Sequence, residues 1–296
     1  MTVTIVGVGL MGGSLALDLK ARGFAQRVIG VESDQENAGQ AVALGLVDEV
    51  MDLTPALALA ELVILAVPVD EIVRVLPVVL DLIGDCAVVT DAGSTKKRIC
   101  DTIRDHPRRK RFVASHPIAG TENSGPGAAL PGLFDNRTSI LCDMGDSDEE
   151  AVATVRSMYQ VLRMTVTCMD SDTHDRHMAY VSHVSHVVSF ALAATVLEIE
   201  ESEAMIVDLA SSGLDSTVRL AKSSPEMWTP ILEQNAGFVS EALGAYLSHL
   251  ARFKKLIDAG DRAGVHDFMQ EANDIRRVLD HMSERKGHGS RGEDRK

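Results

Sequence analysis

The chain has 296 residues, 45% hydrophobic and 24% charged, a size and balance that suit a globular protein with more than one core. A net charge of −14 repels a nucleic-acid backbone, and aromatic residues at 4% are too few for a base-stacking surface. No uninterrupted apolar run reaches membrane-spanning length, and no charged-then-apolar leader precedes the first strand. Cys86, Cys100, Cys142 and Cys168 show no CxxC spacing and read as buried apolar residues of a reducing, cytoplasmic compartment.

Thr2-Val3-Thr4-Ile5-Val6 is a β-branched run that leads into Gly7-Val8-Gly9-Leu10-Met11-Gly12, and a helical pattern follows at once. Strand, glycine turn and helix start stand in the order that a dinucleotide pyrophosphate requires. Gly7 permits the tight turn, Gly9 lets backbone approach phosphate, and Gly12 lets the helix sit close on the strand. The N–H groups of Leu10, Met11 and Gly12 would face the anion. A second strand, Arg27–Val31, ends at Glu32, twenty residues past Gly12, where a carboxylate suits the ribose hydroxyls of NAD and repels the 2′-phosphate of NADP. The competing reading is a glycine turn that holds nothing.

Apolar runs at 2–7, 27–32, 62–67, 87–91 and 111–115 predict strands. Helical patterns fall near 12–22, 35–44, 70–82 and 95–104. Continuous rather than alternating apolar strands indicate a parallel sheet covered on both faces. Two more strands at 137–142 and 164–169, around a helix at 148–162, extend it. The fold class expected is α/β, a doubly wound sheet over residues 1–169. Beyond residue 170 strand signals vanish. Helices are expected at 172–200, 226–258 and 261–284, with a loop at 211–218, forming a helical domain over 170–284 that also dimerises. The polar tail 285–296 reads as disordered.

Ligands in open α/β sheets bind beyond the carboxyl ends of strands. Three such ends matter: Val67-Pro68, Asp91-Ala92-Gly93-Ser94-Thr95-Lys96, and Ser115-His116-Pro117. An imidazole titrates near neutrality, so His116 suits the removal of a hydroxyl proton as hydride leaves the same carbon; the alternative is a histidine that merely ends a strand. Ser94 reads as a helix N-cap, a crevice residue, or both. His174, His177, His183 and His186 lie on the 172–200 helix without the i, i+4 spacing and carboxylate of a metalloprotease site, so a polar seam is preferred to a metal site. Arg219 suits a carboxylate clamp or a surface ion pair. Trp228, the only tryptophan, reads as packing in a core or at an interface.

The chain resembles the prephenate/arogenate dehydrogenase family of tyrosine biosynthesis. The resemblance runs from Thr2 to about Leu279. It rests on the Gly7–Ser14 turn, Asp91-x-Gly93-Ser94-x-Lys96, and Ser115-His116-Pro117-Ile118-Ala119-Gly120-Thr121-Glu122. Thr173-His174-Asp175, Ser182-His183-x-x-His186, Thr217-x-Arg219 and Ser224-Pro225-x-Met227-Trp228 follow in order. It implies a Rossmann-type NAD domain followed by an all-helical dimerisation domain, and oxidative decarboxylation of prephenate, arogenate or a related cyclohexadiene. It further implies a catalytic His116 oriented by Ser94, substrate held by His186 and Arg219, Glu122 gating the pocket, and Trp228 reaching a neighbouring subunit's site. Ser185, Ser216 and Val218 depart from the residues usual in the family, as does Leu141-Cys142-Asp143, and these bear on the preferred substrate side chain. A β-hydroxyacid dehydrogenase would place a lysine on the long helix, and none occurs between 170 and 200. A nucleotide-binding sensor without turnover would leave the titratable strand ends unexplained.

Overall fold

The opening β-branched run forms β1 (Thr2–Val6), which pairs in parallel with β2 (Arg27–Val31) on one side and β4 (Leu62–Leu65) on the other. The computed structural model describes residues 1–200 and 212–280. With β3 (Glu49–Val50), β5 (Val88–Asp91), β6 (Phe112–Pro117), β7 (Thr138–Cys142) and β8 (Thr165–Met169), they form one sheet of order β3-β2-β1-β4-β5-β6-β7-β8. All pairings through β6 are parallel; β7 runs antiparallel to β6, and β8 parallel to β7. The expected doubly wound sheet and its extension are both present. The strand order reverses between β1 and β4, and that switch point opens a crevice.

Helices cover both faces because the strands are apolar on both. On one face Val3, Ile5 and Val28 pack with Leu15 and Leu19 of α1 (Leu10–Ala21) and with Tyr159 of α6 (Glu149–Val161). On the other, Val63 and Leu65 pack with Leu57 of α3 (Leu53–Leu59) and with Ile72 and Leu76 of α4 (Val69–Leu82). The short β3 and α3 carry too little pattern to be read from sequence. Cys100 and Cys142 are buried as expected, whereas Cys86 and Cys168 are exposed. Cys86 lies in the turn before β5, and Cys168 lies on β8, an edge strand with much of its surface open.

The glycine turn is sterically enforced. Gly7 has φ +91°, and its N–H donates to Val31 O (2.9 Å). A Cβ on Gly12 would lie 2.0 Å from Gly7 O. The long β6–β7 connection folds back over the start of α1, where Leu130 N–H donates to Ser14 Oγ (2.9 Å) and Gly132 N–H to Asp18 Oδ1 (2.9 Å).

The long helical stretch is observed as α7 (Ser171–Met178), a π-helical turn (Ala179–His183) and α8 (Val184–Glu200). Contrary to the sequence expectation, Ser171–Glu200 is long and apolar enough to cross a membrane by length and composition. Its first half nevertheless holds buried His174, Asp175 and His183, hydrogen-bonded to His116, Lys96 and Asn235 respectively rather than free to face lipid. Residues 212–218, expected as loop, form α9 (Ser212–Val218), followed by a 3₁₀ turn at Arg219–Lys222. Ser189 of α8 holds them, its Oγ donating to Thr217 O and accepting from Ala221 N–H. The expected 226–258 helix is broken at Asn235 into α10 (Pro225–Gln234) and α11 (Ala236–Asp258). The last expected helix appears as α12 (Arg262–Asn273); residues 281–284 and the 285–296 tail lie outside the described residues.

By contacts the chain divides into two compact units, Met1–Val239 and a second beginning at Ser240. The first contains the sheet and every residue of the site below. Within the second, Phe253 and Phe268 stack (4.6 Å between centroids), and Arg252 lies over Phe268 and pairs with Glu271 (3.2 Å).

Replacing Gly12 with Ala should force β1 and α1 apart and destabilise the fold by about 1–3 kcal/mol. Chemical denaturation checks this, and an unchanged midpoint contradicts it.

Candidate active site

Four strand ends meet at the switch-point crevice. At the first, the glycine turn abuts the end of β4: a Cβ on Gly7 would sit 2.7 Å from Val67 Cγ1 and 2.8 Å from Ala66 O. No side chain caps α1, so the N–H groups of Leu10, Met11 and Gly12 are free of helix partners. At the second, Glu32 follows β2 and turns back on the turn: Val8 N–H donates to its Oε2 and Asp34 N–H to its Oε1, both at 3.1 Å. The carboxylate is thereby fixed beside the turn with acceptor capacity to spare. A backbone cradle without Cβ atoms, a free helix N-terminus and a fixed carboxylate fit the pyrophosphate and ribose of a dinucleotide. Pro68 precedes α4.

Third, Asp91 ends β5 inside the protein. Its Oδ1 accepts Ser115 N–H (3.0 Å), its Oδ2 accepts Gly93 N–H (2.9 Å), and Lys96 Nζ pairs with the same Oδ2. Lys96 also donates to Ser115 O (2.8 Å). Both flanks of the residue before His116 are thus held by one fully buried ion pair.

His116 stands near the end of β6, the fourth strand end. Its Nδ1 lies 2.9 Å from His174 Nε2, and His174 Nδ1 lies 2.7 Å from Asp175 Oδ1. Asp175 does more than hold His174. It accepts the backbone N–H groups of Lys96 (2.8 Å) and Lys97 (3.0 Å), capping α5 (Lys97–Thr102) from a distant helix. Ser94 is therefore not the N-cap of that helix; it lies half-buried in the turn before it, and no hydrogen bond joins it to His116 among the described residues. Asn235, at the break between α10 and α11, donates to Asp175 O (2.7 Å) and contacts His183 Nδ1 (3.0 Å). The helix break thus places a buried amide between two helices.

His183 ends the π turn and His186 follows it; such a turn re-aims side chains and recurs at functional sites. His186 stacks on Trp228 (3.5 Å between centroids, 24° between planes), and His183 meets the same indole edge-on at 5.8 Å. Trp228 packs on Val69 at the start of α4, beside Pro68. Its Nε1–H is buried without a hydrogen-bond partner among the described residues. Arg219 and Glu122 form a partly exposed pair at 3.7 Å, joining the loop after β6 to the turn after α9.

Burial pushes His116 well below the usual imidazole range, and neighbouring His174, Lys96 and His183 add to that. Burial lowers His174 too, against the opposing effect of its hydrogen bond to Asp175. It takes His183 to about 4, and it also lowers His186. The site therefore holds neutral imidazoles at neutral pH, a form suited to accept protons.

The chain matches the family model for the prephenate dehydrogenase nucleotide-binding domain over residues 15–167 and that for the prephenate dehydrogenase dimerization domain over 170–271. The chain belongs to the prephenate dehydrogenase family. It is 29% identical to a prephenate dehydrogenase of Bacillus subtilis, over 93% of this chain and 75% of that one. It is 28% identical to a cyclohexadienyl dehydrogenase of Zymomonas mobilis, over 94% and 95%. The solved prephenate dehydrogenase from A. aeolicus, in complex with hydroxyphenyl propionate and NAD+, is similar at 30% identity with a TM-score of 0.85, covering 94% of this chain and 98% of that one. A Synechocystis arogenate dehydrogenase is similar at 30% identity with a TM-score of 0.74, over 94% and 100%. The Rossmann-type architecture with a helical partner domain and the use of NAD are shared features of the prephenate dehydrogenase family, and this crevice fits them.

Sequence reasoning singled out His116, Ser94, Glu32, His186, Arg219, Glu122 and Trp228; it placed Asp91 at a strand end over the crevice without a role of its own, and gave no part to Asp175 or Asn235. Asp175 stands in the Thr173-His174-Asp175 motif that carried the family resemblance, which was the available signal. Nothing local announces Asn235.

The buried histidines set a pH dependence for this family member. An unfolded chain takes up protons at its histidines near pH 6.5, whereas folded His183 resists until about pH 4. Stability is fully present above about pH 6.5 and falls as pH drops from there towards 4. The lowered carboxyls of Asp48 and Asp170 act below that window. Thermal unfolding between about pH 7.5 and about pH 4.5 should show a falling Tm with proton uptake on unfolding; a flat Tm contradicts the assignment.

Proposed function

We propose that this chain catalyses the NAD-dependent oxidative decarboxylation of prephenate to 4-hydroxyphenylpyruvate, as a cytoplasmic homodimer. The observation that carries the reading is the place of His116, near the end of β6 at the crevice with its Nδ1 held 2.9 Å from His174 Nε2. Prephenate is a cyclohexadiene with a ring carboxylate opposite a hydroxyl-bearing carbon. NAD, when bound, supplies a hydride acceptor for that carbon. Gly7, Gly9 and Gly12, with the N–H groups of Leu10 and Met11, hold its pyrophosphate, Glu32 its adenosine ribose, and Val67 and Pro68 line its path.

His116 takes the hydroxyl proton as the carbon becomes a carbonyl. That carbonyl draws electrons from the carbon–carboxylate bond; carbon dioxide leaves and the ring becomes aromatic, which makes the step irreversible. Ser94, in the turn before α5, orients the hydroxyl. Arg219 clamps a substrate carboxylate once Glu122 yields it, and His186, braced on Trp228, completes the pocket. With a net charge of −14, the chain needs such local cations to admit an anion. Residues up to about 169 bind the nucleotide; those beyond it bind substrate and dimerise. The exposed Leu247, Leu250, Ile257, Met269 and Ile275 of the second unit supply apolar surface for a partner copy. The arogenate and cyclohexadienyl dehydrogenase relatives favour trying the amino analogue beside prephenate.

NADH formation from prephenate and from L-arogenate, each with NAD and NADP, tests the reading. Prephenate with NAD should turn over fastest, and no turnover with either substrate contradicts it. His116→Asn should keep NAD binding and lower kcat by about 10²–10⁴-fold; near-normal turnover removes His116 as base. Arg219→Ala should raise the substrate KM roughly tenfold, as loss of a charge-assisted hydrogen bond would, and an unchanged KM removes the clamp.

A further inference from the structure

The contacts behind His116 fix where its proton lies. Oδ1 of Asp175 accepts Lys96 N–H and Oδ2 accepts Lys97 N–H, so both oxygens act as acceptors, as in a carboxylate. The hydrogen in the 2.7 Å contact with Oδ1 then sits on His174 Nδ1. His174 is fully buried and held neutral, and a neutral imidazole has one N–H, so its Nε2 is an acceptor. The hydrogen in the 2.9 Å contact must come from His116 Nδ1. That leaves Nε2 of His116 bare, with no hydrogen-bond partner among the described residues, on a side chain that is partly open to the crevice.

We propose that Asp175 and His174 are positioning residues for the reaction, a relay that fixes the tautomer of His116 so that Nε2 carries the lone pair toward the substrate hydroxyl. The inference rests on His116 being the base in the reading above. In the step itself the O–H bond breaks, its electron pair stays on oxygen, and a new N–H bond forms at Nε2. The imidazolium so made keeps donating through Nδ1 to His174, and the Asp175 carboxylate two links behind stabilises the charge. No proton moves beyond His116. An imidazole left to itself divides its proton between the two nitrogens, and each molecule with hydrogen on Nε2 offers the hydroxyl a donor where an acceptor is needed. Because Asp175 also caps α5, one carboxylate sets both the tautomer and the turn that carries Ser94.

The test reads tautomer and turnover on the full-length enzyme with NAD. In ¹⁵N-histidine-labelled protein, with the His116 signals assigned by their loss in His116→Asn, Nδ1 of His116 should be protonated and Nε2 unprotonated. His174→Phe keeps the volume and removes both nitrogens. It should lower kcat by about 10²-fold or more while the prephenate KM stays within about threefold. His174→Gln, which can still accept from His116 and donate to Asp175, should recover at least about tenfold of that loss. A protonated Nε2 on His116 in the parent enzyme overturns the relay, even if His174→Phe fails to fold. So does a His174→Phe enzyme with kcat within about threefold of the parent. An enzyme with the expected tautomer and no turnover of prephenate sinks the reaction assigned above and leaves the relay standing.

Discussion

A single buried carboxylate organises this site. Asp175 accepts two backbone N–H groups at the start of α5, holds His174 by its ring, and receives the Asn235 amide on its carbonyl. It therefore ties the turn after β5, the first helix beyond the sheet and the break between α10 and α11 to one point. A lone carboxylate in such surroundings is costly to bury, and these donors are what make it tolerable. The buried Asp91–Lys96 pair performs the same service for the strand that carries His116. Neither arrangement is an efficient way to gain stability, since apolar packing of similar volume would serve as well. What both supply is position, with the His116 imidazole held from one side by backbone and from the other by a ring.

The electrostatics of the crevice follow from that construction. Two cations near it are already engaged, Lys96 with Asp91 and Arg219 with Glu122. Lys96 is fully buried and structural, whereas Arg219 and Glu122 are partly exposed and weakly paired. In the proposed reaction an anionic substrate competes with Glu122 for Arg219 and leaves the buried pair alone. The histidines remain neutral because burial opposes their charging, so the site presents acceptors without adding fixed positive charge.

Much of this was legible in the sequence wherever the signal was local. Glycines 7, 9 and 12, the β-branched runs and the carboxylate after β2 sit within a few dozen residues and obey one backbone geometry. His116 was legible because a strand end in an α/β sheet opens on the crevice. What escaped reading depends on distance or on override. The cap of α5 comes from a residue 79 positions beyond Lys96, so no helix-start signal precedes it. The Ser/Gly-rich 212–218 segment favours loop by propensity, yet Ser189 hydrogen-bonds its far end into a helical form. The helix 226–258 looked continuous because apolar spacing carries across Asn235, whose side chain breaks it by finding partners in another helix. The 172–200 stretch read as one helix, and the π turn inside it, which re-aims His183, left no local signal.

The proposed reaction requires Nε2 of His116 to meet the substrate hydroxyl. The most direct measurement is a crystal structure of the enzyme with NAD and a hydroxyphenyl analogue of the product. The hydroxyl should lie about 3 Å from Nε2 of His116 while Nδ1 stays on His174. A hydroxyl bound to other groups, with His116 turned away from both ligands, would contradict it.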